Sequence, residues 1–274
     1  MTRRRLETVV LHAALLTLAL VTLAPLAWMA SASFMAPGEA NTLPPPLLPR
    51  APTFANYTAL FTRLDMWRNF LASAVIAVTA TVGSILVNSL AGYAFAKLRF
   101  GGRDRLFGSL VVGLVVPAQV AMLPLFLLLR ELHLVNTYAG ALVPYLASVF
   151  GIFLIRQYTL SVPDELLDAA RIDGAGELQV FRMVALPVIK PILVTLAAFT
   201  FLSAWNDFMW PLIILSDSAK HTLPVALANL VGEHVQDTEL MMAGSFLTIL
   251  PALMVFLVFQ RTYVRGIMAG GIKG

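Results

Sequence analysis

The chain of 274 residues has no cysteine, which removes a disulfide framework, a cysteine metal site and a thiol nucleophile from consideration. Charge is scarce as well: Asp, Glu, Lys and Arg make up 12% of the residues, against about 25% in a soluble globular domain. Water is therefore not its main solvent. Only four histidines are present, and His221 and His234 lack the close spacing of a zinc-binding helix pair, so no metal site is expected. There is no glycine-rich phosphate loop closed by Lys and Ser or Thr, which leaves ATP hydrolysis without a seat on this chain. The net charge of +4 is spread in small groups instead of one continuous patch, which argues against nucleic acid as a partner.

What the chain does have is apolar sequence, 59% of it, in long blocks separated by short charged connections. The blocks run approximately Thr8–Phe34, Asn69–Ala96, Leu106–Leu129, Tyr138–Ile155, Ile189–Leu215 and Met241–Phe259, each about as long as a helix needs to cross hydrocarbon. They are continuously apolar and lack the alternation of a barrel strand. The expectation is an all-α polytopic membrane protein with six transmembrane helices, residues 1–274 forming one domain. Arg3, Arg4 and Arg5 followed by an apolar run and Ala30-Ser31-Ala32 superficially copy a signal peptide. The run from Thr8 to Met29 exceeds the roughly 7–15 residues of a signal core, so a retained first span is expected.

Arg3–Arg5, Lys97, Arg99, Arg103, Arg105, Arg156, Arg171, Arg182, Lys190, Arg261, Arg265 and Lys273 fall on one side of the spans, and Arg50, Arg63, Arg68, Arg130 and Lys220 on the other. The positive-inside rule makes the first side cytoplasmic, with both termini there. On the opposite side, Ala36–Pro52 contains Pro44-Pro45-Pro46 and reads as an extended spacer. Ser216–Leu240 is rich in charge and faces water.

The cytoplasmic connection 156–190 is longer than a compact domain needs and is patterned as helix. Ser161 and Asp164 read as a capping box, Pro163 sits in the first turn, and Gly174 supplies the stop, which predicts a helix of about 16 Å. Leu166, Ala169, Ala170 and Asp173 fall at three- and four-residue spacings and are expected to share one docking face with small side chains. A second amphipathic stretch, Glu177–Leu186, runs into Pro187 and Pro191, which redirect the chain into the fifth span.

Asp168-Ala169-Ala170-Arg171-Ile172-Asp173-Gly174 and Val184-Ala185-Leu186-Pro187 together resemble the EAA loop of ABC importer permeases, with Asp168 in place of Glu and Val184 in place of Ile. Asn88–Phe100, Trp205–Leu212 and the terminal Gly270-Gly-Ile-Lys-Gly274 are similar to the carbohydrate-uptake branch of that family. They match most closely the smaller, six-span permease partner of maltose-type and glycerol-3-phosphate-type systems. The resemblance covers nearly the whole chain. It implies a type I importer fold in a bacterial inner (cytoplasmic) membrane, with a coupling helix seated in a cleft of a separate ATPase. Glu165, Leu166, Asp168, Ala169, Ala170, Asp173 and Gly174 are then the coupling residues. The implied partners are a second homologous permease subunit, a dimeric ABC ATPase that uses ATP and Mg, an extracytoplasmic solute-binding protein contacted through Thr222–Asp237, a sugar-like solute, and membrane lipid. This chain itself binds no cofactor on that reading and is not an enzyme.

Within the fifth span, Asn206 and Asp207 are ionisable or polar groups at membrane depth and Trp210 an aromatic neighbour, so the three are candidates for the solute pathway. The plainer readings are a helix-to-helix hydrogen bond or a cap near Pro211 for Asp207, and packing or interfacial anchoring for Trp205, Phe208 and Trp210. Gly83-Ser84 and Ala91-Gly92 are read as close helix crossings. Alternative functions are import of a non-sugar solute, secondary transport, or an intramembrane enzyme pairing Asp207 with His12 or His133. The last two lack the inverted repeats or the second acid-base group that each requires.

Overall fold

The computed structural model describes residues 3–233 and 237–271, with side chains over 7–230 and 237–260. His234 and residues 272–274 of the terminal glycine run lie outside the described residues. Every regular element among the described residues is helical. In chain order these are α1 (Arg3–Ala32), α2 (Ala55–Thr62), α3 (Met66–Lys97), α4 (Arg103–Val112), α5 (Ala118–Glu131), α6 (Tyr138–Leu146) and α7 (Val149–Thr159). They continue with α8 (Asp164–Ile172), α9 (Glu177–Val188, containing a π turn over Phe181–Ala185), α10 (Lys190–Asn206), α11 (Met209–Ile214), α12 (Leu223–Glu233) and α13 (Thr238–Gly271).

Four stretches are long and apolar enough to cross a membrane: Glu7–Ala32, Met66–Lys97, Tyr138–Thr159 and Thr238–Gln260. Two bent pairs raise the number to six if each is one span: Arg103–Val115 with Ala118–Glu131, bent by 109°, and Glu177–Val188 with Lys190–Asn206, bent by 80°. The first bend falls inside the block Leu106–Leu129. Pro117 there lacks an N–H and pushes Val116 into an extended conformation, ψ 120, as a residue before proline must be. The second bend lies between Pro187 and Pro191, where those prolines predict a change of direction.

The chain divides into two compact units. One comprises residues 1–67 and 226–251. Along α1, residues 7–26 are exposed on all sides, as suits a helix whose surroundings are lipid. At its end the proline-rich segment folds back, contrary to the expected extended spacer: Trp28 Nε1 donates to the Pro46 carbonyl at 3.0 Å and Ser31 Oγ to Leu47 at 2.6 Å. Glu39 closes that loop by accepting from the Ala36 and Arg50 N–H groups, and buried Glu239 on the first turn of α13 accepts from the Ala40 N–H at 2.7 Å. Backbone donors with no ladder to join find carboxylates instead, and that holds the segment in place.

The other unit comprises residues 68–225 and 252–274. A buried cluster in it joins Tyr93 of α3 and Ile155 of α7 to Val162, Leu167 of α8, Val180, Phe181 and Ala185 of α9, and Ile192, Leu193 and Leu196 of α10. α3 crosses α7 closely. A Cβ on Gly92 would stand 2.6 Å from Ile155 Cγ2 and 3.0 Å from the Arg156 backbone nitrogen, so only glycine fits, as the small-residue pattern suggests.

The α6–α7 break at Ala147 and Ser148 frees backbone groups inside a span, and Asn88 of α3 takes them up. Its Oδ1 accepts from the Ser148 N–H at 3.0 Å, while its Nδ2 donates to the Leu146 carbonyl at 3.4 Å and to Ser84. A neighbouring side chain thus replaces the water that a membrane interior lacks. At the other end of α3, Asn69 donates to the carbonyls of Ser218 and His221, and Ser73 Oγ accepts from the Leu223 N–H at 2.7 Å. The start of the segment Ser216–Leu240 is thereby pinned to a span, and most of the remainder forms α12.

Candidate functional site

The connection 156–190 folds as a helical hairpin, α8 and α9. Its first cap differs from the expected one. Ser161 Oγ donates back to the Tyr158 carbonyl at 2.7 Å, and Pro163 occupies the N-cap position, ψ 134, with no side-chain cap. The capping box fails because the end of α7 is only two residues away and its carbonyl claims the serine. The charge that closes α8 comes from a distant element: Lys97 Nζ donates to the Val162 carbonyl at 2.6 Å and to Asp164 Oδ1 at 2.7 Å.

The stop at Gly174 is as expected. Its φ of +85 suits glycine, its N–H donates to the Arg171 carbonyl, and the Ala175 N–H reaches the Ala170 carbonyl at 3.0 Å. These are the two bonds of a Schellman stop.

α8 has a sharply divided surface. Leu167 is 1% exposed and lies in the cluster, with Ala170 packed against it. Glu165, Leu166, Asp168, Ala169, Asp173 and Gly174 are exposed. Ala170 is half-buried and packs against the cluster, while Leu166, Ala169 and Asp173 are exposed. Ile172, which the sequence argument passed over, is 86% exposed, and Leu166 49%. The signal for it is a β-branched apolar residue directly before the Asp173-Gly174 turn, on the side away from Leu167.

Ion pairs brace the helix. Arg171 Nη1 donates to Asp168 Oδ1 at 2.7 Å, and its Nε and Nη2 donate to the two oxygens of Glu177 at 2.8 and 3.2 Å. Hydrogen bonding from Arg171 holds the Glu177 carboxyl below its usual range, and the Lys97 hydrogen bond does the same for Asp164. The guanidinium of Arg171 is in turn held more firmly protonated by Glu177 and Asp168.

The candidates of the fifth span separate. α10 ends at Asn206, and Asp207 stands at the break before α11 with extended backbone, ψ 126. Its Oδ1 accepts from the Met209 and Trp210 N–H groups at 3.0 and 3.3 Å, and its Oδ2 accepts from the Tyr145 hydroxyl of α6 at 2.5 Å. Both plain readings, cap and helix-to-helix bond, hold at once. Neither His12 nor His133 is among these partners, and His12 bonds to the Thr8 carbonyl.

Asp207 and Trp210 also line a cavity of about 460 Å³ with Tyr145, Ser148, Thr200 and Ser203, between the apolar side chains of Met122, Leu125, Phe150 and Phe199. Asn206 is not among the lining residues, and its amide donates to Leu202 of its own helix. Trp210 is buried, donating from Nε1 to the Gly140 carbonyl at 3.3 Å. Trp205 is packed between Phe70 and Phe201, which answers its sequence reading in favour of packing. Among the described residues no group of His, Asp and Glu side chains is placed to hold a metal ion.

Residues 89–268 match the family described as binding-protein-dependent transport system inner membrane component. The arabinooligosaccharides transport system permease protein AraQ of Halalkalibacterium halodurans is 38% identical over 227 residues, 82% of this chain and 81% of that one. The lactose transport system permease protein LacG of Rhizobium radiobacter is 33% identical over 275 residues, covering 99% and 98%. The sn-glycerol-3-phosphate transport system permease protein UgpE of Salmonella typhi is 35% identical over 204 residues, covering 74% and 73%. Among solved structures, a chain of a bacterial ABC transporter involved in import of the acidic polysaccharide alginate superposes with a TM-score of 0.85 at 26% identity. That match covers 95% of this chain and 98% of the other.

Proposed function

The chain belongs to the family of binding-protein-dependent transport system inner membrane components, and we propose that it is the smaller of two homologous permease subunits in an importer of a sugar-like solute. Similarity to permeases named for arabino-oligosaccharides, lactose and glycerol phosphate supports that solute class. The observation that carries the reading is α8, a short helix with a firm stop, anchored by Leu167 and presenting Leu166, Ala169 and Ile172 outward. Exposed apolar side chains on a polar connection between spans are best explained by a partner that covers them.

On this reading the partner is a dimeric ABC ATPase that binds ATP and Mg, and hydrolysis happens there and not on this chain. Glu165, Asp168 and Asp173 form the polar rim of the seat. An extracytoplasmic binding protein delivers the solute to the opposite face, and the termini and α8 lie on the cytoplasmic side of a bacterial inner membrane. The cavity bounded by Tyr145, Ser148, Thr200, Ser203 and Asp207 is this subunit's share of the pathway, its hydroxyls and carboxylate suited to a polyhydroxylated solute.

Docking is tested by co-purifying the ATPase with the native chain and with Ala169→Trp and Ile172→Asp. Both substitutions lie on the exposed face and should abolish capture while the permease still accumulates in the membrane. Undiminished capture by both variants sinks the assignment of α8.

A further inference from the structure

α8 is joined through the chain to α7 and α9, yet the ion pair at its start, Lys97–Asp164, runs to a third helix, α3. Tyr93 and Lys97 stand four residues apart at the C-terminal end of α3 and so share one face. Lys97, with its side chain 6% exposed, holds the start of α8 through the Val162 carbonyl and Asp164. The Tyr93 hydroxyl donates to Glu177 Oε2 at 3.2 Å, and Glu177 holds Arg171, on the last turn of α8. The Tyr93 ring meets Phe181 at 5.2 Å, which seats the same grip on α9. One face of α3 therefore grips the start of α8 directly, through Lys97, and its last turn at one remove, through Glu177 of α9. A helix held at one end can pivot, whereas one held at both ends must carry its neighbour with it.

The same helix reaches the cavity. Nine residues before Lys97, about 13 Å along the axis, Asn88 accepts from the Ser148 N–H, and Ser148 and Tyr145 line the cavity on either side of the α6–α7 break. We propose that α3 is a connecting rod, with Lys97 and Tyr93 as positioning residues that pass displacement of α8 to the Asn88–Ser148 joint and so to the cavity wall. This rests on the reading of α8 as the ATPase seat. It adds a path across space to the covalent one, through a contiguous network of hydrogen bonds and an ion pair.

The test uses the complete transporter in proteoliposomes, with ATP hydrolysis and solute uptake measured together. Tyr93→Phe removes one hydroxyl and Lys97→Met keeps the apolar stem. Each should retain the ATPase in the purified complex yet lower solute moved per ATP by about five-fold, the lower end of ordinary coupling energies. Lys97→Arg, which keeps the charge, should restore most of it. Asn88→Ala should lower the same ratio, and combining it with Lys97→Met should cost no more than the larger single change, as two points on one path do.

An unchanged ratio in both Tyr93→Phe and Lys97→Met overturns the proposal, and so does multiplication of the two effects in the double variant. Equal falls in uptake and hydrolysis would assign the residues to general stability and also overturn it. Failure of the native chain to hold the ATPase at all would instead remove the docking reading, a separate outcome seen before any variant is made.

Discussion

α1 and α3 are alike by hydropathy and opposite in use. Their spans, Glu7–Ala32 and Met66–Lys97, both have a mean hydropathy of 2.2, yet the most apolar window of the first is 0% buried within the protein and that of the second 33%. Along the described part of α1 the side chains are mostly Leu, Val and Ala, and Thr17 and Thr22 donate to carbonyls of their own helix, at Ala13 and Leu18. α3 carries Ser73, Gly83, Ser84, Asn88 and Gly92, and the polar members of that set bond to other helices or segments. Apolarity thus decides that a helix lives in a membrane, whereas small and polar residues decide what it touches there.

The sharpest way to break this comparison is a bulky residue on each helix. Gly92→Leu would drive side-chain atoms into Ile155 and the Arg156 backbone and should prevent recovery of folded protein from detergent, since ordinary overpacking already costs about 1–3 kcal/mol. Ala14→Leu on the open surface of α1 should leave the yield unchanged, and size-exclusion profiles of the two variants check both. Asn88→Ala should come next, lowering the thermal midpoint by an amount equivalent to about 1–3 kcal/mol, because the Ser148 N–H is left unsatisfied. Thr17→Val, which loses only a bond within its own helix, should shift that midpoint hardly at all.

A smaller effect separates α8 from both spans. Replacing Gly174, at φ +85, by Ala should cost about 1 kcal/mol by forcing a side chain into the left-handed region, read as faster amide exchange over α8. The smallest is acid. Asp164 and Glu177 have folded-state values below their ordinary 3.8 and 4.5, so their stabilisation is complete above those values and fades as pH falls through them. Protection of the α8 amides against exchange should fall below about pH 4.5, as the Lys97–Asp164 and Arg171–Glu177 bonds are lost.

Much of this was legible in advance, and the misses have causes. The apolar blocks, the stop at Gly174 and the short helix before it follow from local rules that act within a few residues. Ser161 was assigned to the wrong partner because a hydroxyl bonds to whichever backbone group lies nearest, and only the end of α7 settles which one that is. Ala170 packs against the cluster while Ile172 stands exposed, which the sequence does not tell, because helical spacing groups residues on a face without saying which face is covered. The fold-back of the proline-rich segment turns on Trp28 and Glu239, the latter far away in sequence.

By itself the sequence determined that the chain lives in lipid as helices, where α8 stops, and which family it joins, since composition, a glycine at a left-handed turn and a run of motif residues are all local. Only the tertiary structure decided that Lys97 of α3 closes on α8 and Tyr93 on Glu177 of α9, and that Asn88 mends the break beside Ser148. Those pairings join residues about 60 or more positions apart, and no local preference encodes a hydrogen bond whose donor and acceptor meet only after the helices have packed.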